Sequence, residues 1–106
     1  MISRKDFEML KKQYAKDKKT CKVMFVLPDK VDAESVTLHG DFTKWEKKPL
    51  KMKRYKDGNF KVSVALKPGK QYRFRYLLDD ERWENDWEAD AYAPNEFGSE
   101  DSIVEV

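Results

Sequence analysis

Three tryptophans stand among charged residues, and they are the side chains of this sequence best suited to bind a ligand. Trp45 lies in Lys44-Trp45-Glu46, Trp83 in Arg82-Trp83-Glu84 and Trp87 in Asp86-Trp87-Glu88. A tryptophan in a polar segment either folds back onto the core or stays exposed as a flat apolar face with an N–H at its rim. A glucose ring can lie on such a face while its hydroxyls reach the rim. A nucleic-acid base stacks on the same surface, so the tryptophans alone leave both ligands open.

The residue types that usually carry catalysis or bind metals are few. The chain has one cysteine, Cys21, and one histidine, His39. A zinc site with the usual ligands is therefore not expected, and no serine or cysteine arrangement around His39 indicates a nucleophile and its base. Acidic residues are abundant, but a domain this small offers no deep pocket for the paired carboxyls of a hydrolase. We therefore expect no enzyme activity, no cofactor and no metal.

The length and composition suit one intracellular domain. The chain has 106 residues, of which 40% are apolar, enough for a single core. No apolar run approaches the ~18 residues that cross a bilayer, and the N-terminus does not resemble a secretory signal. A single cysteine suits a reducing compartment. The sequence predicts a cytoplasmic protein without a membrane partner.

Charge is divided unevenly along the chain. Residues 1–78 contain 21 basic and 9 acidic side chains, a net charge of +12, whereas residues 79–106 contain 1 basic and 11 acidic ones, a net charge of −10. A basic body can indicate an anionic partner such as nucleic acid. Alternatively, the acidic segment folds against the basic one and neutralises it, and this is the interpretation we favour.

From residue 20 onward the apolar pattern has a period of two, which is typical of half-buried strands. The alternation is clearest over Phe60–Leu66 and Gln71–Leu78, and further strands are predicted at Cys21–Leu27, residues 35–39 and residues 102–106. Turn residues separate these strands. Asp57-Gly58 predicts a hairpin between residues 50–56 and 59–66, Pro68-Gly69 fits a type II turn, and residues 79–81 turn the chain toward Trp83.

Six or seven short strands at this spacing, without helices between them, indicate an all-β fold, an immunoglobulin-like antiparallel β-sandwich. The N-terminal segment differs. Phe7, Leu10 and Tyr14 form one apolar stripe at i, i+3 and i+7 on a charged background, with Ser3 as a candidate N-cap. The sequence therefore predicts a short N-terminal α-helix in an extension over residues 1–19, followed by a sandwich domain over residues 20–106.

Two motifs carry a resemblance to a known family. The run Val36-Thr37-Leu38-His39-Gly40-Asp41-Phe42-Thr43-Lys44-Trp45 resembles the apolar-x-Gly-x-Phe-x-x-Trp signature of carbohydrate-binding module family 48. Residues 85–106 resemble the end of that module, and Pro68-Gly69-x-x-Tyr72-Arg73-Phe74 resembles its central hairpin. The family includes the glycogen-binding domain of the AMP-activated protein kinase β subunit and the N-terminal domains of isoamylases and glycogen branching enzymes. The resemblance covers roughly residues 20–106.

The resemblance implies a set of carbohydrate-binding residues. Trp45 and Trp83 would stack on sugar rings, Arg73 would donate to sugar hydroxyls, and Phe97 would reach into the curve of the glucan. Ser99 and Asp101 match the family's hydroxyl and amide positions, and Trp87 could extend the platform. Three positions depart from the family pattern: Arg73 replaces the usual lysine, Asp101 replaces the usual asparagine, and Trp87 stands where proline is common.

By this resemblance we expect non-catalytic binding of an α-1,4-linked glucan, meaning glycogen, starch or maltooligosaccharide. A second hypothesis is a protein-interaction module that docks a glucan-metabolising enzyme or a kinase without binding sugar itself. A third, which we favour least, is a nucleic-acid binder. It would use Trp45 and the basic residues near it in the sequence, Lys44, Lys47, Lys48, Lys51, Lys53 and Arg54.

Overall fold

The computed structural model describes residues 9–28 and 31–106, which form two antiparallel sheets packed face to face. The strands of the first sheet, in the order β1-β2-β6-β5, are β1 (Leu10–Tyr14), β2 (Cys21–Leu27), β6 (Phe60–Leu66) and β5 (Lys53–Arg54). The path of the second sheet, in the order β4-β3-β7-β10-β9, contains β4 (Leu50–Lys51), β3 (Val36–Gly40), β7 (Gln71–Leu78), β10 (Glu100–Glu105) and β9 (Ala91–Pro94). The predicted all-β sandwich is confirmed.

One further strand, β8 (Arg82–Glu84), completes the second sheet by pairing with β7. Strand β10 pairs with the first half of β7, from Gln71 to Phe74, and β8 pairs with the second half, from Tyr76 to Leu78. Strand β3 occupies the opposite edge of β7. Because β7 has partners along both edges, its register is firmly set. Within the described residues, no helix is both long and apolar enough to cross a membrane.

The core lies between the sheets and is rich in aromatic side chains. Phe25 from β2 and Phe74 from β7 meet edge to face, with ring centroids 5.0 Å apart, a preferred geometry for aromatic pairs. Phe74, Tyr76 and Leu78 of β7 are buried, and the residues between them point to the other face. The alternation that predicted this strand therefore separates a core face from an outer face that carries Arg73 and Arg75.

The predicted N-terminal helix is wrong over residues 9–19. Residues 10–14 form β1, which pairs with β2 from Leu10 against Phe25 to Tyr14 against Cys21. Phe7 and Ser3, also used for that prediction, lie outside the described residues. An isolated helix of this length is marginal in water, whereas β2 offers an edge whose backbone groups need partners. The strand also brings Lys12 Nζ to 2.6 Å from a carboxylate oxygen of Asp90, which joins the basic part of the chain to the acidic part.

Residues 50–56 do not form the single hairpin arm that the sequence predicted. Strand β4 pairs with β3 in the second sheet, and β5 pairs with β6 in the first. Met52, between them, is buried and donates its backbone N–H to Val36 O at 2.9 Å. The segment therefore crosses from one sheet to the other at this residue. The Asp57-Gly58 turn joins β5 to β6, with Gly58 at a φ of 88°.

Gly40, in the first motif, sits where the backbone of β3 approaches its neighbours most closely. A Cβ atom there would lie 2.6 Å from Arg73 O and 3.0 Å from the ring of Phe42. Both distances are shorter than ordinary van der Waals contact. Only glycine allows β3, β7 and the Phe42 ring to meet at this point, and Arg73 is therefore positioned directly beside the loop that carries Trp45.

A polar cluster closes the core between β7 and β10. The Tyr76 hydroxyl donates to Asp86 Oδ2 at 2.9 Å, Glu88 N donates to Asp86 Oδ1 at 2.8 Å, and Asp86 N donates to Ser102 Oγ at 2.9 Å. Tyr76, Asp86 and Ser102 are all buried. Burial raises the pKa of Asp86 to about 6 and outweighs the hydrogen bonds that lower it. Burial and the nearby Asp86 charge also raise the pKa of Tyr76 well above its usual range.

We predict that Asp86 makes the protein more stable as the pH falls toward 4. The ordinary pKa of this carboxyl is 3.8, and its pKa in the folded protein is about 6. Between these values the folded protein holds a proton that the unfolded chain does not, so acidification stabilises the fold through this group. Urea unfolding of the parent and of Asp86→Asn, from about pH 7 to about pH 4, should show the parent gaining stability relative to the variant.

The control is Asp80→Asn, which changes an exposed carboxyl on the turn after β7. A parent-to-variant difference for Asp86→Asn that stays constant with pH would contradict this prediction.

Candidate functional site

A cleft on the outer face of the second sheet gathers most of the residues that the resemblance singled out. Its volume is about 680 Å³. From the loop after β3 and from strands β7 and β8 its lining includes Trp45, Arg73, Arg75 and Trp83; from the last part of the chain it includes Pro94, Asn95, Glu96, Phe97 and Asp101. We call this cleft the first groove. It contains five of the six predicted site residues, all except Ser99.

Trp45 is placed by a tight loop after β3. Lys44 and Trp45 both have left-handed backbone angles, with φ of 54° and 56°, a conformation that is unfavourable for residues other than glycine. The Thr43 hydroxyl supports the loop by accepting from Gly40 N at 2.9 Å, and it lies 3.1 Å from Trp45 O. The Trp45 indole Nε1 donates to Asp41 Oδ1 at 3.1 Å. The indole ring is therefore fixed at its polar end.

Asp41 also ties this loop to β7. Its second carboxylate oxygen, Oδ2, accepts from the backbone N–H of Arg73 at 2.9 Å. The Asp41 carboxylate thus links the Trp45 indole to the backbone of Arg73, which lines the first groove. Hydrogen bonds through Asp41 therefore hold the Trp45 ring at a set distance from β7.

Trp83 lies on β8 against two side chains of neighbouring strands. The guanidinium carbon of Arg75 lies 5.5 Å from the Trp83 ring centroid, a cation–π distance. The imidazole of His39 meets the indole edge to face, with centroids 4.9 Å apart. His39 and Arg75 are direct cross-strand partners in the β3–β7 ladder. With 40% of its surface exposed, Trp83 is supported from the sheet side and still offers area to a ligand.

Arg73 and Asp101 form an ion pair at the base of the first groove. Arg73 Nη1 donates to Asp101 Oδ2 and to Pro94 O, both at 3.1 Å. The other Asp101 oxygen, Oδ1, accepts from Asn95 Nδ2 at 3.1 Å. Asp101 is only 6% exposed, so both of its oxygens are engaged inside the protein. Two of the three departures from the family pattern therefore contact each other.

Phe97 stands at the tip of a loop that Asn95 holds together. Asn95 Oδ1 accepts from the backbone N–H groups of Phe97 (3.0 Å) and Ser99 (3.1 Å), and Asn95 N donates to Ser99 O at 2.9 Å. Gly98 has a φ of 79°, which completes the turn. The Phe97 side chain is 83% exposed. Phe97 therefore adds exposed apolar area to the groove that Trp45 and Trp83 also line, and grouped apolar surface of this kind can mark a binding site.

Ser99 and Trp87 lie outside the first groove. Ser99 lines a neighbouring depression, the second groove, whose walls also include Asn85, Tyr92 and Glu100. The two grooves share Pro94 and Asn95. Trp87 is 42% exposed, its indole Nε1 donates to Glu84 at 3.3 Å, and it lines neither groove. The structure thus brings Ser99 beside the other predicted site residues but does not bring Trp87 there.

A comparison with known families agrees with the family resemblance of the sequence motifs. A family model described as the glycogen recognition site of AMP-activated protein kinase matches residues 22–106. The chain belongs to this family. No curated protein matches the chain. The resemblance carried by the two sequence motifs is therefore confirmed over nearly the whole described structure.

Within this glycogen-recognition fold, sequence reasoning missed the side chains that hold the site in place. Arg75, which lies over Trp83, and Asn95, which holds the Phe97 loop, were not among the predicted site residues. For Arg75 a signal was present, because a strand residue two positions from Arg73 must share its face. His39, expected to be only a strand residue, shares this face because it is the cross-strand partner of Arg75, and it contacts Trp83. For Asn95 the signal was weaker, because an asparagine that binds backbone N–H groups is visible only once the loop is built.

We predict that Asn95→Ala loosens the Phe97 loop without unfolding the sandwich. The variant loses three side-chain hydrogen bonds, two to backbone N–H groups and one to the Asp101 carboxylate. Hydrogen exchange should show faster exchange of the Phe97 and Ser99 amides, and the free energy of unfolding should fall by about 1–3 kcal/mol. The matched control is Glu96→Ala, an exposed residue of the same loop, which should leave both amides protected. Unchanged amide exchange in Asn95→Ala would disprove this role.

Proposed function

We propose that the protein binds an α-1,4-linked glucan (glycogen, starch or maltooligosaccharide) in the first groove without acting on it chemically. The observation that carries the proposal is the gathering of two indoles, an arginine and an exposed phenylalanine in one open groove of a chain that belongs to a glycogen-recognition family. Aromatic faces match the C–H faces of glucose rings, and a groove open to solvent suits a polymer better than a small substrate. The position of each side chain supports a distinct role.

Trp83 is proposed as the main stacking platform and Trp45 as the second. The Trp83 ring is supported by Arg75 and His39, and the Trp45 ring is fixed through its Nε1, so neither has to be ordered when the sugar binds. Pre-ordered side chains reduce the entropy lost on binding. We expect affinities in the micromolar to millimolar range, because an open groove leaves much of the ligand in water.

Arg73 and Asp101 are proposed to have different roles, one in contact with the sugar and the other behind it. Arg73 has five N–H donors in a planar fork. Those on Nη1 are directed at Asp101 and Pro94, and we assign those on Nε and Nη2 to sugar hydroxyls. Asp101 is nearly buried and its two oxygens already accept from Arg73 and Asn95. We therefore assign it to holding Arg73 rather than to touching the glucan. Phe97 would supply an apolar contact for the inner surface of a curved glucan chain.

The proposal of a non-catalytic role has two supports. The chain belongs to a recognition family, and the carboxyl with a raised pKa, Asp86, lies away from the groove. A hydrolase needs a carboxyl with a raised pKa next to the bond that it cleaves. Asp86 has a raised pKa, but it is buried against Tyr76 and Ser102 and lines neither groove. It has no access to a sugar in the first groove. Cytoplasmic location stays a prediction from the single cysteine, Cys21.

We predict that Trp83→Ala and Trp45→Ala each weaken binding of maltoheptaose about 30-fold, which corresponds to about 2 kcal/mol. The matched control is Trp87→Ala, because Trp87 is as exposed as Trp83 (42% and 40%) but lines neither groove. Titrations followed by the indole NMR signals, with cellohexaose as the control sugar, measure all three variants. Full binding by folded Trp83→Ala and Trp45→Ala would refute the site. A loss with Trp87→Ala as large as with the other two would show that the platform extends beyond the groove.

Salt dependence separates this proposal from nucleic-acid binding. Neutral sugar has no counterions to release, so the maltoheptaose affinity should change less than twofold between about 50 and 500 mM NaCl. Binding to phosphates through Lys44, Lys47 and Lys48 would weaken by orders of magnitude over the same range. Tight, salt-sensitive binding of single-stranded DNA, together with no response to maltoheptaose, would replace the glucan proposal with the nucleic-acid one.

A protein-docking role is the second candidate, and the first sheet provides an observation in its favour. Tyr55 is 47% exposed, and the ammonium groups of Lys53 and Lys61 lie 5.6 and 4.9 Å from its ring centroid. This basic, aromatic surface belongs to the sheet opposite the first groove. A glucan-metabolising enzyme could therefore be bound there while a glucan occupies the groove. Retention of such an enzyme in a pull-down that survives Trp45→Ala and Trp83→Ala, but not Tyr55→Ala, would support this role.

A further inference from the structure

The second groove adjoins the first groove across the Phe97 loop. It has a volume of about 710 Å³ and shares Pro94 and Asn95 with the first groove. Phe97 lines one side of the loop and Ser99 lines the other. Tyr92 and Glu100 lie on the opposite face of the β9–β10 pair from Asp101, because side chains alternate between the two faces of a strand. A ligand in the first groove therefore reaches the second groove by bending round the Phe97 loop, as a curved glucan chain can.

The walls of the second groove have the chemistry of a sugar subsite. The Tyr92 side chain is 44% exposed, and its hydroxyl is anchored because it donates to Asp86 O at 2.6 Å and accepts from Ala89 N at 3.4 Å. The exposed part of Tyr92 is therefore a fixed ring face, which can pack on the C–H face of a sugar. Ser99 and Glu100 are exposed beside it. A hydroxyl and a carboxylate are acceptors for sugar O–H donors, and bonds to a carboxylate are the stronger ones.

The charge of this groove selects against an anionic ligand. Glu100 is part of its lining, and no lysine or arginine lines it among the described residues. A phosphate-bearing polymer would meet a carboxylate without a compensating cation. A neutral polyhydroxyl chain meets acceptors that fit its donors. The same polymer proposed for the first groove therefore fits the second.

We infer that the second groove is an additional glucan subsite, occupied only by chains long enough to cross the Phe97 loop from the first groove. This inference rests on the proposed function, since the first groove provides the main binding energy. Tyr92 supplies the apolar contact and Glu100 accepts from sugar hydroxyls. The affinity consequently depends on chain length, because a short oligosaccharide fills the first groove alone, whereas a longer one also makes the contacts of the second groove.

The test compares maltotriose with maltoheptaose by titration of the full chain. Tyr92→Ala and Glu100→Ala should each weaken maltoheptaose binding about fivefold, the size expected for one hydrogen bond or one partial ring contact, and leave maltotriose binding unchanged. Tyr92→Phe keeps the ring but loses the hydroxyl that anchors it, so its preference for the longer sugar should lie between those of the parent and Tyr92→Ala. Matched controls are Tyr55→Ala, a tyrosine of similar exposure on the first sheet, and Glu81→Ala, an exposed glutamate on the turn before β8.

The outcomes separate the inference from the function on which it rests. If Trp83→Ala weakens both sugars while Tyr92→Ala and Glu100→Ala change neither, or change both equally, the second groove is not a subsite and the first groove stands. If the parent binds neither sugar, both proposals fail. Glu100→Ala keeps the test decisive should Tyr92→Ala unfold, because Glu100 is exposed and its backbone position in β10 is retained.

Discussion

The register of β7 is the constraint on which both the core and the proposed site depend. Its residues Phe74, Tyr76 and Leu78 are buried between the sheets, whereas Arg73 and Arg75 point outward into the first groove. Because side chains alternate strictly along a strand, a slip of one residue would exchange the two faces and bury both guanidinium groups. Pairing with β3 on one edge and with β10 and β8 on the other prevents that slip. The hydrogen-bond ladder that builds the core therefore also orients the groove.

Around this strand, hydrogen bonds from polar side chains turn surface loops into fixed parts of the site. Asp41 connects the Trp45 indole to the backbone of Arg73, and Asn95 closes the Phe97 loop. The side chains that would meet a ligand are thus separate from those that hold them. A weakly binding, solvent-open groove gains from this division, because little additional ordering is required when a flexible polymer arrives.

The parts of the fold that could be predicted from the sequence are those governed by local pattern. The alternation over Gln71–Leu78 and the Asp57-Gly58 turn predicted their elements correctly, since both depend on residues close in sequence. The helix prediction over Leu10 and Tyr14 was wrong because spacing of four residues fits a short strand as well, and the free edge of β2 decided between them. The crossing of residues 50–56 between sheets was missed because it depends on pairing with β3 in one sheet and β6 in the other, which local pattern does not reveal. Trp45, Arg73, Trp83, Phe97 and Asp101 could be brought together only through the family resemblance, because no local pattern joins positions so far apart.

The contact between Arg73 and Asp101 constrains which substitutions this sequence can tolerate. Asp101 is enclosed, and its two oxygens depend on Arg73 and Asn95, so replacing any one of the three alone leaves a buried charge or donor without its partner. The lysine and asparagine that the family resemblance implies at positions 73 and 101 would form a different contact, because lysine lacks the planar fork of arginine and asparagine lacks the carboxylate charge. Positions 73, 95 and 101 are therefore coupled, and a substitution at one of them restricts the residues that the other two can tolerate.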